Sequence, residues 1–346
     1  MGKTDIKSLN IPKLQALLSE FGQPKFRAEQ IFKWLQSGVN DFEQMTNIPL
    51  SLRQALSERC YIASARIVRR LESKIDGTVK YLFELFDGER IESVLMKYKH
   101  GYSLCISTQV GCRMGCSFCA SGLCGLVRNL TASEMLAQIT AAQEDNGIRI
   151  SNIVMMGMGE PLDNFENSVR FLQLVSDEKG LNIGLRHISL STCGVVSGIE
   201  RLKDYNFPIT LSVSLHAPND EIRSSIMKIN RKWNIESLLA ACRDYQKVTT
   251  RRISFEYALI DGLNDTKECA DMLAERLKGI MCHVNLIPAN SVKENSFKKP
   301  DEEKIQRFKN WLNLRGVNAT IRRTLGADID ASCGQLRRRV QEGDEI

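Results

Sequence analysis

The stretch CISTQVGCRMGCSFCA, residues 105–120, places four cysteines within sixteen residues. Cys112, Cys116 and Cys119 follow a C-x3-C-x2-C spacing, and Cys105 precedes this group by seven residues. Structural zinc sites and electron-transfer iron–sulfur clusters usually take four protein ligands. The stretch therefore raises two questions: what fills the fourth coordination position, and what Cys105 does.

The composition indicates a globular chain of 346 residues, 43% hydrophobic and 25% charged, which suits one large domain with a smaller companion. The 47 basic and 41 acidic side chains give a net charge of +6, which weakly favours a polyanionic partner. No apolar run approaches the roughly 20 residues of a membrane span, and the start MGKTDIKSLN has no signal-peptide character. We therefore expect a cytoplasmic protein whose eleven cysteines serve metal binding or catalysis rather than a disulfide framework.

Two kinds of periodicity divide the first hundred residues. Apolar residues at helical spacing predict helices within residues 11–58. Residues 61–100 alternate with a period of two, and the Asp-Gly pairs at 76–77 and 87–88 predict hairpin turns between strands. The sequence thus predicts a small helical region followed by a β-meander.

After Tyr102, six strand-like segments alternate with helical ones. This alternation predicts an α/β fold with a parallel sheet, and six units fit a partial (β/α)6 barrel better than a complete eightfold one. The predicted divisions are a helical accessory region at residues 1–60, a β-meander at 61–97 and the partial barrel at 98–346.

The cysteine loop follows the first barrel strand, at the carboxyl end where barrel enzymes build active sites. Zinc could take Cys124 or Cys105 as a fourth ligand, but the spacing is not that of a usual zinc finger. Three thiolates on a [4Fe-4S] cluster leave one iron open for chemistry. The spacing resembles the signature of the radical S-adenosylmethionine (SAM) superfamily, in which SAM chelates that open iron.

Further polar residues and glycines fall at the ends of later strands. Glycine in MMGMGEP lets backbone approach a ligand, and the carboxylate that follows can accept the SAM ammonium. Each residue alone also fits a structural role, as a turn glycine, a solvated carboxylate or a structural histidine. The residues predicted to bind SAM are Gly159, Glu160, Ser191, Ser214, Leu215, His216 and Asn290.

The chain resembles the RlmN/Cfr family of RNA adenine methyltransferases along nearly its whole length. The segments that carry the resemblance are RIESVLMKY, CISTQVGCRMGCSFCASG, VRNLTASE, MMGMGEPL, STCGV, SLHAPND, VNLIPAN and DIDASCGQL. GEPL and the STCGVV context resemble the enzymes that methylate C2 more than those that mainly methylate C8. Cys193 and Ser291 depart from the family pattern and bear on fine substrate preference.

The resemblance implies a chemistry that uses the cysteines outside the cluster. Cys333 takes a methyl group from one SAM, and a second SAM is cleaved to a radical that removes a hydrogen from this S-methyl group. The methylene radical then adds to adenine, Glu92 accepts the ring proton, and Cys105 releases the product through a transient disulfide with Cys333. From the residues alone, Cys105 also fits a buried core position, Cys333 a loop and Glu92 a solvated hairpin face.

The resemblance implies 23S rRNA and tRNA as substrates and an electron donor of flavodoxin or ferredoxin type. We expect a monomer, with the accessory region as a second RNA contact. A C8 methyltransferase and a non-catalytic zinc or iron–sulfur module remain as alternatives. The basic residues predicted to contact RNA are Lys97, Lys99, Arg322, Arg323, Arg337, Arg338 and Arg339.

Overall fold

The computed structural model describes residues 2–123, 125–289 and 297–331. The accessory region and meander comprise β1 (Thr4–Asp5), α1 (Ile11–Ser19), α2 (Phe26–Ser37), α3 (Leu50–Arg59), β2 (Cys60–Tyr61), β3 (Arg66–Glu72), β4 (Val79–Glu84) and β5 (Arg90–Tyr98). The elements up to the third parallel strand are β6 (Gly101–Cys105), β7 (Gln109–Gly111), α4 (Ala120–Leu123), β8 (Leu126–Asn129), α5 (Ala132–Asn146), β9 (Ile150–Met155), α6 (Phe165–Val175) and β10 (Ile188–Thr192). The remaining elements are α7 (Val196–Lys203), β11 (Thr210–Ser214), α8 (Asp220–Ile226), α9 (Ile235–Thr249), β12 (Ile253–Leu259), α10 (Lys267–Leu277), β13 (Cys282–Pro288), α11 (Glu302–Leu314) and β14 (Ala319–Ile321).

The accessory region is helical, as predicted, and it packs against α5. Helix α1 begins at an Asn10 cap whose side chain accepts from the Lys13 amide, and α2 ends at Gly38 in the left-handed conformation. Strands β1 and β2 pair and join the two ends of this region. The fully buried Lys7 donates to the Thr140 hydroxyl of α5 at 3.4 Å, which ties the region to the main sheet.

The meander forms as predicted, because both Asp-Gly pairs place glycine where the turn needs a positive φ. Gly77 has φ +70° and Gly88 φ +81°, and each lies in a turn between antiparallel strands. Strand β5 then pairs antiparallel with β6, the first strand of the parallel series. Meander and barrel therefore share one continuous sheet. The predicted boundary between residues 97 and 98 falls inside β5, a strand of that sheet.

The main sheet has ten strands in the order β14-β13-β12-β11-β10-β9-β6-β5-β4-β3. Strands β6 and β9 to β14 run parallel, and β3 to β6 run antiparallel. In the described residues the sheet has two free edges, so the barrel is partial. This is the α/β fold predicted, with one addition: the strand-like segment after Asn318 provides β14 as a seventh parallel strand.

Nowhere in the described ranges is a helix both long enough and apolar enough to cross a membrane.

Candidate active site

The strand registers place two of the predicted catalytic residues, Glu92 and Cys105, on one face of the sheet. Cys105, the last residue of β6, pairs with Val94 of β5, and Val94 also pairs with Lys80 of β4. Glu92 lies two residues before Val94, so its side chain points to the same side. Glu92, Lys80 and Cys105 are all buried, and the Lys80 Nζ lies 3.7 Å from the Glu92 Oε1.

The same face continues across the parallel strands as a polar stripe. Cys105 pairs with Val154 of β9, and Val154 pairs with Ser189 of β10. Ser191, two residues later in β10, pairs with Ser212 of β11. Two residues further on, Ser214 pairs with Glu256, which accepts a 2.7 Å hydrogen bond from the Asn285 amide. The opposite face carries the buried core residues Leu190, Val213 and Phe255. One face of a central sheet is thus polar, as a substrate-binding face requires.

A short ribbon of β7 and β8 frames the cysteine loop. A Cβ at Gly111 would lie 1.9 Å from the Gly125 carbonyl oxygen, which accepts from the Cys112 amide at 2.8 Å. Only glycine fits at this position, which has φ +75°. Further along, the Ser117 amide donates to the Ile226 carbonyl at 3.0 Å, so the loop is held against the end of α8.

The three predicted cluster ligands influence one another electrostatically. Burial raises the pKa of Cys112 to about 12, and Glu160 and Cys119 act in the same direction. Burial raises the pKa of Cys116 as well, with further contributions from the Cys119 and Cys112 thiols. Among the described residues, no three His, Cys, Asp or Glu side chains gather closely enough to hold a single metal ion. A neighbouring trio of thiols in one loop suits a [4Fe-4S] cluster, which binds each thiolate through a different iron.

Glu160 is buried next to this loop, with both carboxylate oxygens engaged. Its Oε1 accepts from the Leu162 amide at 3.0 Å, and its Oε2 accepts from the Cys193 amide at 2.7 Å. Burial raises the pKa of Glu160, although these hydrogen bonds oppose the shift. The side chains of Cys193 and Thr192 donate to the same carboxylate. Because the Cys193 thiol bonds Glu160, this departure from the family pattern lies beside the predicted SAM contact.

The glycines of MMGMGEP permit a close approach between two parts of the chain. A Cβ at Gly157 would lie 2.6 Å from the Ile106 carbonyl oxygen. Gly159 has φ +98°, and a Cβ there would lie 2.5 Å from the Gln109 Cβ. The structure therefore explains both glycines by the packing of this turn on the segment between β6 and β7. The sequence had predicted approach to a ligand.

His216 is positioned against the cysteine loop by its backbone and ring. It has φ +58°, and its ring stands edge-on to Phe118, between Cys116 and Cys119, with centroids 4.8 Å apart. Its Nδ1 accepts from the Ala258 amide at 2.8 Å, and burial lowers the pKa of His216 to about 3. The imidazole is therefore neutral, and the hydrogen lies on Nε2.

Arg223 is a functional residue that the sequence analysis missed. Its guanidinium is fully buried and donates to the carbonyls of Cys193 at 2.7 Å, Leu215 at 3.1 Å and Ser214 at 3.2 Å. It thereby joins the ends of β10 and β11, where the predicted SAM contacts lie. Arg223 follows SLHAPND and stands among charged neighbours in a helix, which is typical of a surface arginine. The sequence pattern therefore did not indicate that its side chain is buried.

The remaining predicted residues have different outcomes. The predicted RNA contacts in the described residues are exposed: Lys97, Lys99, Arg322 and Arg323.

The nine cysteines in the described ranges are free thiols, so the structure does not support the predicted disulfide. The predicted residues that lie outside the described residues are Cys124, Asn290, Ser291, Cys333, Arg337, Arg338 and Arg339.

Comparisons with known proteins agree with this architecture. The Radical SAM superfamily matches residues 106–274, and the "Ribosomal RNA large subunit methyltransferase N-terminal domain" matches residues 4–62. The chain is 54% identical over 339 residues to the "Probable dual-specificity RNA methyltransferase RlmN" of Alkaliphilus oremlandii, covering 98% of this chain and 99% of the relative. The protein of the same name from Alkaliphilus metalliredigens is 51% identical, with 100% and 98% covered.

A solved structure has the same fold over nearly the whole chain. The crystal structure of a radical SAM methyltransferase from Sphaerobacter thermophilus aligns with a TM-score of 0.91 and 46% identity, covering 96% of this chain and 98% of that one. Sequence and fold agree along the accessory region, the meander and the barrel. The chain belongs to the RlmN family of radical SAM RNA methyltransferases.

Proposed function

We propose that this chain methylates C2 of an adenosine in 23S rRNA, at the peptidyl-transferase centre, and of the adenosine next to the anticodon in tRNA. The dual specificity in the names of its relatives supports two RNA substrates. Adenine C2 carries a hydrogen and no nucleophilic lone pair, so it cannot displace the methyl group of SAM directly. The enzyme needs a methyl carrier of its own, and the thiol of Cys333 takes that role as a nucleophile.

Membership of the superfamily implies SAM and an iron–sulfur cluster. Cys112, Cys116 and Cys119 supply the thiolates for a [4Fe-4S] cluster, and deprotonation of these buried thiols would accompany iron binding. When bound, SAM and the cluster would supply the methyl group and the one-electron chemistry that activates it, with two SAM per turnover. The residues that would hold SAM are Gly159, Glu160, Ser191, Ser214, Leu215 and His216, together with Asn290 outside the described residues.

One observation carries this proposal: Glu92 of β5 and Cys105 at the carboxyl end of β6 lie on the polar face of neighbouring strands. Their side chains interact electrostatically, since the Glu92 charge contributes to the raised pKa of Cys105. The cysteine loop begins only seven residues after Cys105. A proton acceptor and a resolving thiol therefore lie together, close to the loop that would hold the cluster.

The surroundings of Cys105 act on its thiolate in two opposite directions. Burial raises the pKa of Cys105, and the positive charge of Arg322 opposes this effect by favouring the thiolate. In the proposed release step the Cys105 thiolate attacks the sulfur of Cys333. An S–S bond forms, the C–S bond to the RNA adduct breaks, and the methylene carbon takes up a proton to become the methyl group.

Glu92 is proposed to accept the C2 proton from adenine, and the unpaired electron left on the adduct would return to the oxidised cluster. Its carboxylate is paired with the buried Lys80, so it lies on the polar face rather than on a solvated hairpin face. The target base would have to leave its stack to reach this position. The exposed cations Lys97, Lys99 and Arg323 would contact phosphates around it.

Three further parts of the proposal concern organisation. Residues 1–60, 61–97 and 98–346 act as accessory RNA-binding region, meander and catalytic barrel. An electron donor of flavodoxin or ferredoxin type reduces the cluster. The enzyme acts as a monomer in the cytoplasm.

Mass spectrometry of nucleosides tests the proposal. RNA from a strain that lacks the enzyme is incubated with anaerobically reconstituted protein, SAM and a reductant, then digested. We expect 2-methyladenosine in 23S rRNA and tRNA, and none with Cys333→Ala. Detection of 8-methyladenosine instead would assign C8 specificity, and a protein that contains zinc but no iron would contradict radical chemistry.

A further inference from the structure

The segment that follows β14 is docked on the turn between β3 and β4. The Gly326 amide donates to the Asp76 Oδ2 at 2.9 Å. Asp328 accepts from the Ser73 hydroxyl at 2.6 Å through Oδ1, and from the Lys74 amide at 2.9 Å through Oδ2. These partners are about 250 residues apart in sequence, so the contacts are tertiary.

The docked segment is a compact turn with a defined shape. The amides of Ile329 and Ala331 both donate to the Gly326 carbonyl, at 3.1 and 3.2 Å. Gly326 has φ +63°, and a Cβ there would lie 2.8 Å from the Ala331 Cβ and 3.2 Å from the Thr78 Cγ2. Asp330 also adopts a left-handed conformation, with φ +46°. Glycine and aspartate tolerate this backbone, so local geometry and docking agree.

A buried lysine connects this segment to the polar face of the sheet. Lys80 Nζ donates to the Asp330 carbonyl at 2.6 Å and lies 3.7 Å from the Glu92 Oε1. The Lys80 side chain is 1% exposed. Burying an ammonium group is expensive unless it is well paired. The Asp330 carbonyl oxygen and the Glu92 carboxylate supply that pairing. The first belongs to the C-terminal segment, and the second is the proposed proton acceptor.

We propose that residues 73–78 and Lys80 are positioning residues that hold the C-terminal segment so that Cys333 meets Glu92 and Cys105. This inference rests on the proposed function, because it uses the roles given there to these three residues. Cys333 follows Asp330 by three residues, and three residues span at most about 11 Å. Holding the Asp330 carbonyl at Lys80, which also pairs with Glu92, would limit how far the Cys333 thiol can lie from the polar face.

The chemistry of the contact favours positioning over core stability. Asp328 and Asp330 are exposed, and the docking bonds are polar. A segment retained only for stability would bury apolar side chains, which supply most of the driving force for folding. Hydrogen bonds with defined geometry fix a direction and a distance, which a methyl carrier needs.

The first experiment measures docking without measuring activity. Hydrogen–deuterium exchange by mass spectrometry compares the wild-type holoenzyme with Asp328→Ala and with Asp204→Ala, an exposed aspartate at the end of α7. We expect residues 326–331 and the Lys74 amide to exchange at least about tenfold faster in Asp328→Ala, and unchanged in Asp204→Ala. Equal exchange in all three proteins would overturn the docking.

The second experiment separates positioning from RNA binding. For Asp328→Ala and Lys80→Met, we expect kcat to fall about 10- to 100-fold while KM for RNA stays within about twofold, at unchanged iron content. Lys80→Arg keeps a donor at this place and should recover most of kcat. A raised KM with unchanged kcat would make the turn an RNA contact, and unchanged kcat with accelerated exchange would overturn the positioning role.

The two proposals can fail separately. If Cys333→Ala retains adenine methylation, the proposed function fails whatever the turn does. If Cys333→Ala is inactive but Asp328→Ala and Lys80→Met match the wild type in kcat, only the positioning inference fails.

Discussion

Lys7 allows a quantitative test of how the accessory region is held. Its side chain is fully buried, its Nζ lies 3.4 Å from the Thr140 Oγ1, and the charge of Asp5 acts on it. Burial lowers the pKa of Lys7 from 10.5 to about 8, and Asp5 opposes the shift. Since one pKa unit equals 1.36 kcal/mol, the charged lysine destabilises the folded state by about 3 kcal/mol.

We predict that Lys7→Met raises the free energy of unfolding at neutral pH. The pKa of about 8 already includes the Asp5 attraction. Loss of the hydrogen bond offsets about 1 kcal/mol, so the net gain at pH 7 is about 2 kcal/mol. Between pH 8 and 10.5 the unfolded wild-type chain binds more protons than the folded one, so wild-type stability rises with pH. At pH 9.5 the wild type recovers about 2 kcal/mol, and the gain from Lys7→Met should fall close to zero.

Urea unfolding at pH 7 and pH 9.5 measures the difference in the free energy of unfolding between Lys7→Met and the wild type. Cluster-free protein is used so that no iron is lost during the transition. Lys13→Met, which removes an exposed lysine of α1, is the control and should show no pH-dependent difference from the wild type. A stability difference for Lys7→Met that is equal at both pH values, or a loss of stability at pH 7, would refute the assignment of a burial-destabilised ammonium.

Four further outcomes test the site. Cys105→Ala should accumulate RNA joined to the protein through Cys333, seen as a shifted band on denaturing gels; clean product release would refute the resolving role. Glu92→Gln should lower the single-turnover rate at least about 100-fold while RNA affinity, measured by fluorescence anisotropy, stays unchanged; equal rates would exclude it as proton acceptor. Gly159→Ala should lower the urea midpoint, because φ +98° and the 2.5 Å contact with Gln109 leave no room for a Cβ, and an unchanged midpoint would contradict this packing. RNA affinity should fall steeply with salt, and a flat dependence measured by the same anisotropy assay would contradict phosphate contacts.

Local chemistry explains which parts of the fold the sequence predicted well. The Asp-Gly pairs at 76–77 and 87–88 require a positive φ, and each lies in a turn between the predicted strands. The alternation of strand-like and helical segments after Tyr102 likewise predicted the parallel series. Such features depend on a few neighbouring residues, so they are visible without knowledge of tertiary contacts.

Long-range contacts explain what the sequence did not predict. Arg223 and Lys80 carry charges that are typical of a surface, yet both are buried because distant carbonyl and carboxylate oxygens surround them. The contact of Asp328 with Ser73 joins segments 255 residues apart. The packing of Gly159 was not predicted for the same reason, since its close neighbour Gln109 lies fifty residues earlier.

The antiparallel pairing of β5 with β6 has a consequence for protein engineering. Glu92 and Cys105 come from the two sides of that pairing, so their separation is set by backbone hydrogen bonds across a single ladder. A chimera between relatives that exchanges the meander at residue 97 would take Glu92 and Cys105, the proposed proton acceptor and resolving thiol, from different parents. Joining the sequences at residues 62–65 instead, between β2 and β3, would exchange the accessory region and leave the ladder intact. Such an exchange would move the proposed RNA-binding region and leave Glu92 and Cys105 in place.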